Sequence, residues 1–107
     1  MSEIGNVLTR LTAVIESRKG ASPNSSYTAS LLSSGPERCA KKMGEEAVET
    51  ALAGAAGRKT DLADEAADLL YHLGILLAAN EMTYEDVAQV LISREGTSGH
   101  EEKASRG

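Results

Sequence analysis

The sequence PERCAKKMGEEAVETALAGAA spans residues 36–56, and DLADEAADLLYHLGILLAA follows at residues 61–79. Each stretch repeats apolar residues at the three- and four-residue spacing of an amphipathic helix. Pro36 suits the first position of a helix, Gly57 suits the end of one, and Thr60 suits the N-cap of the next. The sequence therefore predicts two long consecutive helices that pack antiparallel.

Apolar residues in the rest of the chain also recur at helical spacing. Apolar residues from Ile4 to Ile15 predict a first helix that stops near Lys19, and residues 27–33 predict a short second helix. Thr83 and Asp86 form a capping-box pattern before a last helix that ends near Arg94. No segment predicts a strand, so the fold class is all-α.

The chain reads as one domain with a polar tail. Its 107 residues suit a single domain, and a chain of this size has a limited core. We expect residues 1–95 to form that domain. Residues 96–107 contain glycine and lack an apolar run, so we expect a flexible C-terminal tail.

Composition excludes several classes of function. The net charge of −5 argues against a general grip on nucleic acid, which needs clustered Lys and Arg. No segment has the length of apolar sequence that crosses a membrane, and no signal peptide is evident. Cys39 has no second cysteine to pair with, and His72 and His100 do not show zinc-site spacing. We expect a cytoplasmic protein.

Two acidic pairs stand at helical spacing in the two long helices. Glu46 and Glu49 are three residues apart, as are Glu65 and Asp68. Like charges at this spacing repel by a few tenths of a kcal/mol (about 0.2 to 0.5) unless a cation lies between them. Both pairs border an apolar stripe, where unpaired charge is costly. The pattern predicts that the four carboxylates converge on one or two metal ions.

Hard oxygen ligands favour Mg²⁺, with Mn²⁺ as the other candidate, and Mg²⁺ is often shared with substrate phosphates. The alternative is that these acids decorate exposed helix surfaces, as most Glu and Asp do. One acidic pair is a weak motif. Two pairs on adjacent helices favour a metal site that faces a phosphorylated substrate.

Basic residues precede the first acidic pair. Lys41 and Lys42 stand four residues before Glu45 and Glu46, which is the spacing of helix-stabilising ion pairs. Lys42 shares the acidic side of its helix and could instead reach a substrate phosphate, as could Arg38 one turn earlier.

The same two helices contain one histidine and the only cysteine of the sequence. His72 is either a partner of the acids or, as the favoured interpretation, a border histidine satisfied by solvent. Cys39 is interpreted as a packing residue.

Two segments carry a family resemblance. SGPERCAKKMGEEAVE at residues 34–49 and DEAADLLYH at residues 64–72 resemble the phosphoribosyl-ATP pyrophosphatase family of histidine biosynthesis. The likeness extends upstream to Ser26-Tyr27-Thr28 and downstream to residues 83–87, so it covers most of the chain. The E-x-x-E and E-x-x-D pattern is also that of the wider all-α, MazG-like nucleotide pyrophosphohydrolases.

The resemblance implies a MazG-like helical bundle completed by homodimerisation. It also implies Mg²⁺-dependent hydrolysis of phosphoribosyl-ATP, a small-molecule nucleotide, to phosphoribosyl-AMP and pyrophosphate. The four acids are then the metal ligands, with Glu46, Glu49 and Glu45 as catalytic residues and either Glu45 or Glu46 as the base. Substrate binding is expected from Lys42, Lys41, Arg38 and Tyr27. The phosphoribosyl-AMP cyclohydrolase that acts next is expected to be a separate chain.

Two rival functions remain open on the sequence. A MazG-like enzyme that hydrolyses ordinary nucleoside triphosphates would share the metal site and differ in the substrate pocket. A non-catalytic helical interaction module would leave the acids solvated or use them for a structural cation. The Tyr27 segment favours the histidine-pathway activity.

Overall fold

The computed structural model describes residues 2–96 together with residues 99, 103 and 106. The described part contains no strand, and the predicted all-α class is confirmed. Most of the predicted tail, residues 96–107, lies outside the described residues. Within residues 2–96 the chain forms five helices, which are in order α1 (Ile4–Arg18), α2 (Tyr27–Ser34), α3 (Pro36–Ala55), α4 (Lys59–Ala79) and α5 (Tyr84–Ser93).

The start of α2 and the start of α5 are fixed by side-chain caps. The Ser26 hydroxyl accepts a hydrogen bond from the Ala29 backbone N–H at 3.0 Å. At α5, the Thr83 backbone N–H donates to the Asp86 carboxylate at 2.9 Å, and the predicted capping box is present. These caps satisfy backbone donors that the first helical turn leaves without partners.

The connection between α3 and α4 differs from the sequence prediction at one residue. Thr60 was expected to cap α4, but Arg58 holds the N-cap position and no side chain caps this helix. Gly57 adopts a positive φ of 71°, which turns the chain sharply after α3. The Leu62 backbone N–H then donates to the Arg58 carbonyl at 2.8 Å, so α4 begins before Thr60.

The core draws one or two side chains from each of the first four helices. Its central residues are all buried: Ile15, Leu31, Cys39, Ile75 and Ala78. The packing role predicted for Cys39 is confirmed, because its thiol is buried and donates to the Leu31 carbonyl at 3.3 Å. Burial of about 25 cal/mol per Å² of apolar surface is the main stabilising term for such a core.

Gly74 is where α4 comes closest to its neighbours. A Cβ atom at Gly74 would lie 2.9 Å from the Ile15 Cδ1 atom and 3.1 Å from the Tyr84 ring. Tyr84 also donates its hydroxyl hydrogen to the Leu70 carbonyl on α4. The absence of a side chain at Gly74 therefore lets α1 and the start of α5 pack against α4.

Some apolar side chains are left on the surface of α3. Val48 is 59% exposed and Leu52, one turn later, is 60% exposed. Neighbouring apolar side chains of this kind are a feature of surfaces that bind another protein. Among the described helices, none combines the length and the apolar character that a membrane crossing requires.

Candidate metal centre

Helices α3 and α4 form the framework of the site. They are joined by the short connection 56–58 and have the most extensive helix–helix contact of the described chain. Consecutive helices with so short a connection form an antiparallel hairpin. This arrangement places the acidic side of α3 against that of α4, as the sequence predicts.

Three acidic residues meet across this contact. Carboxylate oxygens of Glu46, Glu49 and Glu65 all lie within 4.8 Å of one another. Glu46 and Glu49 are one turn apart on α3, and Glu65 reaches them from α4. We refer to these three residues as the carboxylate cluster. Oxygens at this separation can bind one divalent cation together.

Two oxygens of the carboxylate cluster have no hydrogen-bond donor. Oε2 of Glu46 and Oε2 of Glu65 are both buried within the described protein, and neither has a partner there. Buried polar atoms are almost always hydrogen-bonded, because the loss of water is otherwise uncompensated. A bound cation would compensate both oxygens, so the residues fit a divalent metal.

The pKa values of the cluster report the same crowding. The pKa of Glu65 is raised to about 7, first by the hydrogen bond that its carboxyl shares with Glu49, then by burial and by the charges of Glu49, Glu46 and Asp68. The pKa of Glu46 is also raised, mainly by burial and then by the neighbouring Glu49. Carboxyl groups that share a site without a cation resist full ionisation.

Asp68, the fourth predicted ligand, lies at the edge of the carboxylate cluster. It is exposed, and its carboxylate is outside the set of oxygens that lie within 4.8 Å of one another. Its negative charge nevertheless contributes to the raised pKa values of Glu46 and Glu65. Asp68 as a ligand therefore stays a prediction.

His72 is more constrained than a border residue exposed to solvent. It is only 7% exposed, and its Nδ1 lies 2.8 Å from the Asp68 carbonyl oxygen. Its Nε2 lies 3.0 Å from the Tyr27 hydroxyl oxygen. The favoured interpretation of His72 as satisfied by solvent is therefore wrong, because α2 covers this ring.

The basic residues of α3 occupy different surroundings. Lys42 pairs with Glu45 at 3.3 Å, three residues away, so the ion pair with Glu46 expected from four-residue spacing is replaced by this one. The pKa of Lys42 is raised mainly by Glu45, with further contributions from Tyr27 and Glu46. Lys42 is partly buried, whereas Lys41 and Arg38 are exposed.

Arg58 is a site residue that the sequence analysis missed. A small pocket of about 140 Å³ is lined by Glu49 and Glu65 of the carboxylate cluster together with Leu52, Ala53 and Arg58. The Arg58 guanidinium pairs with the Asp61 carboxylate at 2.9 Å. Its position in the connection between the helices belongs to no motif that marks it as part of the site.

Two larger cavities lie away from the carboxylate cluster. One of about 410 Å³ is between α1 and the start of α5, and one of about 290 Å³ is near Lys19 and the end of α4. Neither is lined by a cluster residue. Lys19 in the second cavity pairs with Glu16 and Glu81, so its charge is already balanced.

Comparison with known proteins gives one consistent result. The family model described as phosphoribosyl-ATP pyrophosphohydrolase matches residues 8–95. A protein of Cereibacter sphaeroides named phosphoribosyl-ATP pyrophosphatase is 57% identical over 101 residues, covering 94% of this chain and 98% of its own length. A relative with the same name from Caulobacter sp. strain K31 is 55% identical and covers 99% of this chain and 98% of its own length. Another, from Rhodobacter capsulatus, is 52% identical and covers 94% of this chain and 97% of its own length.

Proposed function

The chain belongs to the phosphoribosyl-ATP pyrophosphohydrolase family, and from that premise we propose that it hydrolyses phosphoribosyl-ATP to phosphoribosyl-AMP and pyrophosphate. This is the second step of histidine biosynthesis. The observation that carries the chemical part of the proposal is the carboxylate cluster, whose oxygens lie within 4.8 Å of one another.

Glu46, Glu49 and Glu65 would hold a divalent cation, with Mg²⁺ the first candidate and Mn²⁺ the second. Asp68, three residues after Glu65 on α4, would join them as the fourth ligand. When bound, such a cation supplies charge neutralisation for the triphosphate and acidifies water. The two buried oxygens without donors support this assignment, because they give the cation ligands that no protein group already occupies.

The basic residues of α3 are suited to bind substrate phosphates. Lys42 lies beside the carboxylate cluster, and its ion pair with exposed Glu45 can exchange for a phosphate oxygen at little cost. Lys41 and Arg38 are exposed on the same helix and would add to the positive potential that meets an incoming polyanion. Phosphoryl transfer depends mainly on such positioning and charge.

Glu45 is the better of the two candidate bases. Glu46 faces the other carboxylates and would be occupied as a ligand. Glu45 is exposed beside Lys42 and lies outside the carboxylate cluster, so its carboxylate would be free to accept a proton from the attacking water. A Glu45→Gln variant that retains metal binding and loses turnover would support this assignment. Full turnover in that variant would exclude Glu45.

We also propose a MazG-like homodimer that uses the exposed apolar surface of α3. Val48 and Leu52 lie on the helix that carries two of the three cluster acids, so a partner packed there would lie beside the site. A small chain gains needed apolar burial from such an interface. Leu52→Glu should convert the dimer to a monomer in sedimentation velocity. A wild-type chain that sediments as a monomer would contradict the proposal.

The cellular setting follows from the reaction. The Cys39 thiol is free and buried, which suits the reducing cytoplasm in which we place the reaction. The phosphoribosyl-AMP released would pass to a phosphoribosyl-AMP cyclohydrolase.

The test measures pyrophosphate release from phosphoribosyl-ATP with and without Mg²⁺, with common nucleoside triphosphates in parallel. Metal-dependent release from phosphoribosyl-ATP supports the proposal. Release only from ordinary triphosphates would favour the MazG-like alternative. No release from any substrate would favour the interaction module.

The Glu49→Gln variant tests the carboxylate cluster within the same assay. It removes one ligand charge and should lose nearly all turnover while keeping its helix content by circular dichroism. Glu37→Gln is the matched control, because it makes the same chemical change at an exposed position of α3. At about 1.5 Å per residue, Glu37 lies about 18 Å from Glu49 along the helix axis. Full activity in Glu49→Gln would overturn the metal assignment.

A further inference from the structure

The contact between Tyr27 and His72 joins residues that are far apart in sequence, and His72 stands one turn after Asp68 on α4. The Tyr27 hydroxyl lies 3.0 Å from Nε2 of His72, although 45 residues separate them. His72 is buried, while Tyr27 is 50% exposed. The Tyr27 hydroxyl is therefore fixed by a buried partner, while Tyr27 as a whole stays half-exposed.

The second nitrogen of His72 determines the direction of this hydrogen bond. Nδ1 lies 2.8 Å from the Asp68 backbone carbonyl, which can only accept, so Nδ1 carries the hydrogen. In the neutral imidazole Nε2 is then an acceptor, and the Tyr27 hydroxyl donates to it. The hydrogen of Tyr27 is used inside the protein. The oxygen of Tyr27 keeps a lone pair and can only accept from an outside group.

The rest of the start of α2 is also held against α4. The Thr28 hydroxyl hydrogen-bonds with the Tyr71 hydroxyl. The Tyr27 ring stacks on the Tyr71 ring, with centroids 6.3 Å apart, and meets the His72 ring edge-on at 5.8 Å. These contacts leave Tyr27 little freedom to turn its hydroxyl away from His72.

Tyr27 is near the groups expected to bind phosphate. Its partner His72 contacts the backbone carbonyl of Asp68, three residues after Glu65 of the carboxylate cluster. Tyr27 is also among the groups that raise the pKa of Lys42, whose main partner is Glu45. A nucleotide whose phosphates lie at Lys42 and the carboxylate cluster would place its adjoining ribose nearby. Phosphate oxygens offer no hydrogen at neutral pH, so the Tyr27 oxygen is unsuited to them, whereas a ribose hydroxyl can donate to it.

We propose that His72 is a positioning residue that holds the Tyr27 hydroxyl so that its oxygen accepts a hydrogen bond from a ribose hydroxyl of the substrate. This inference rests on the proposed function and deepens it, because it assigns Tyr27 to recognition of the sugar. The buried ring of His72 acts through Tyr27 and contacts no reacting atom.

The test is a double-mutant cycle on KM and kcat for phosphoribosyl-ATP at a fixed pH of about 8. Tyr27→Phe and His72→Leu should each raise KM about 2- to 13-fold, as expected for one lost hydrogen bond, and leave kcat nearly unchanged. The KM of the double variant should be no higher than the higher KM of the two single variants, because both changes remove the same contact. His72→Gln, whose amide oxygen can accept from Tyr27, should recover part of the loss.

Sugar recognition is tested with phosphoribosyl-ATP analogues that lack the 2′- or 3′-hydroxyl of the adenosine ribose. The wild-type chain should show a raised KM for one of them, and Tyr27→Phe should show no added penalty for that analogue. If Tyr27→Phe shows the same increase in KM for that analogue as the wild type, the assignment is overturned. It is also overturned if the wild type shows no increase in KM for either analogue. Additive effects of the two substitutions would overturn the positioning role.

Two controls separate the possible failures. Calorimetric titration with Mg²⁺ alone should give the same affinity in Tyr27→Phe as in the wild type. If His72→Leu loses its helical circular dichroism, Tyr27→Phe and His72→Gln complete the cycle. A wild-type chain that does not hydrolyse phosphoribosyl-ATP contradicts the proposed function. An active wild type with unchanged KM in the variants contradicts only the inference about His72 and Tyr27.

Discussion

Glu49 of α3 and Glu65 of α4 bring their carboxyl groups together across the helix contact, and the proton they can share raises the pKa of Glu65 to about 7. Burial and the charges of Glu49, Glu46 and Asp68 act in the same direction. The metal-free chain therefore holds a proton at this site at mildly acidic pH. The proton stands in the place that a cation would fill.

The first prediction concerns the stability of the metal-free protein. Because the pKa of Glu65 rises from an ordinary 4.5 to about 7 on folding, its contribution is fully present below pH 4.5 and is lost as pH rises through 7. The melting temperature in EDTA should therefore fall between pH 5 and about 8. Glu65→Gln cannot titrate and should show a flatter profile, whereas Glu37→Gln should follow the wild type. Identical profiles for wild type and Glu65→Gln would contradict the shared proton.

The second prediction concerns proton release on metal binding. A cation that binds the carboxylate cluster must displace the proton of Glu65, so Mg²⁺ affinity should rise with pH across the region around 7. Calorimetric titrations at pH 6.5 in buffers of different ionisation enthalpy should give a positive number of protons released. The number should approach zero at pH 8.5. A pH-independent affinity would exclude Glu65 as a ligand.

The third prediction concerns Tyr84. Burial raises the pKa of its phenol to about 12, and its hydroxyl donates to the Leu70 carbonyl. The stability that Tyr84 contributes is complete below its ordinary pKa of 10.0 and is lost as pH rises through about 12. Absorbance at 295 nm should show one of the three tyrosines titrating last, together with alkaline unfolding. Tyr84→Phe should remove that step and cost about 0.5 to 1.5 kcal/mol at neutral pH.

The main helices and the acidic contact could be predicted from local pattern. The three- and four-residue spacing of apolar residues sets the faces of α3 and α4, and the short connection between them dictates an antiparallel pair. Glu46, Glu49 and Glu65 meet because spacing on two adjacent helices is enough to align them. Thr60 was misjudged because the left-handed turn at Gly57, rather than cap chemistry, decides where α4 begins.

The Tyr27–His72 contact could not be predicted, because it depends on how α2 folds back over α4. No local sequence pattern around either residue predicts contact with the other, and 45 residues separate them. The burial of His72 is likewise a property of the packed helices and not of its own helix. Arg58 was missed for the same reason, since its place beside Glu49 and Glu65 follows from the turn geometry.

The last prediction concerns the packing of α1 and α5 on α4 at Gly74. A Cβ there would lie 2.9 Å from Ile15 and 3.1 Å from the Tyr84 ring, so a branched side chain must push both away. Gly74→Val should lower the free energy of unfolding by about 1 to 3 kcal/mol, as overpacked cores do. Urea unfolding followed by circular dichroism measures this change.

Gly5→Ala is the control for Gly74→Val, because a Cβ at Gly5 meets no atom within 4 Å. In α1 the alanine should be neutral or stabilising by up to about 1 kcal/mol, since glycine loses more backbone freedom on folding. Because Gly74 lies two residues after His72 on α4, the Gly74→Val variant should also shift the Tyr27 contact and raise KM for phosphoribosyl-ATP. A Gly74→Val chain as stable as the wild type would show that α1 and α5 can move away from α4 without cost.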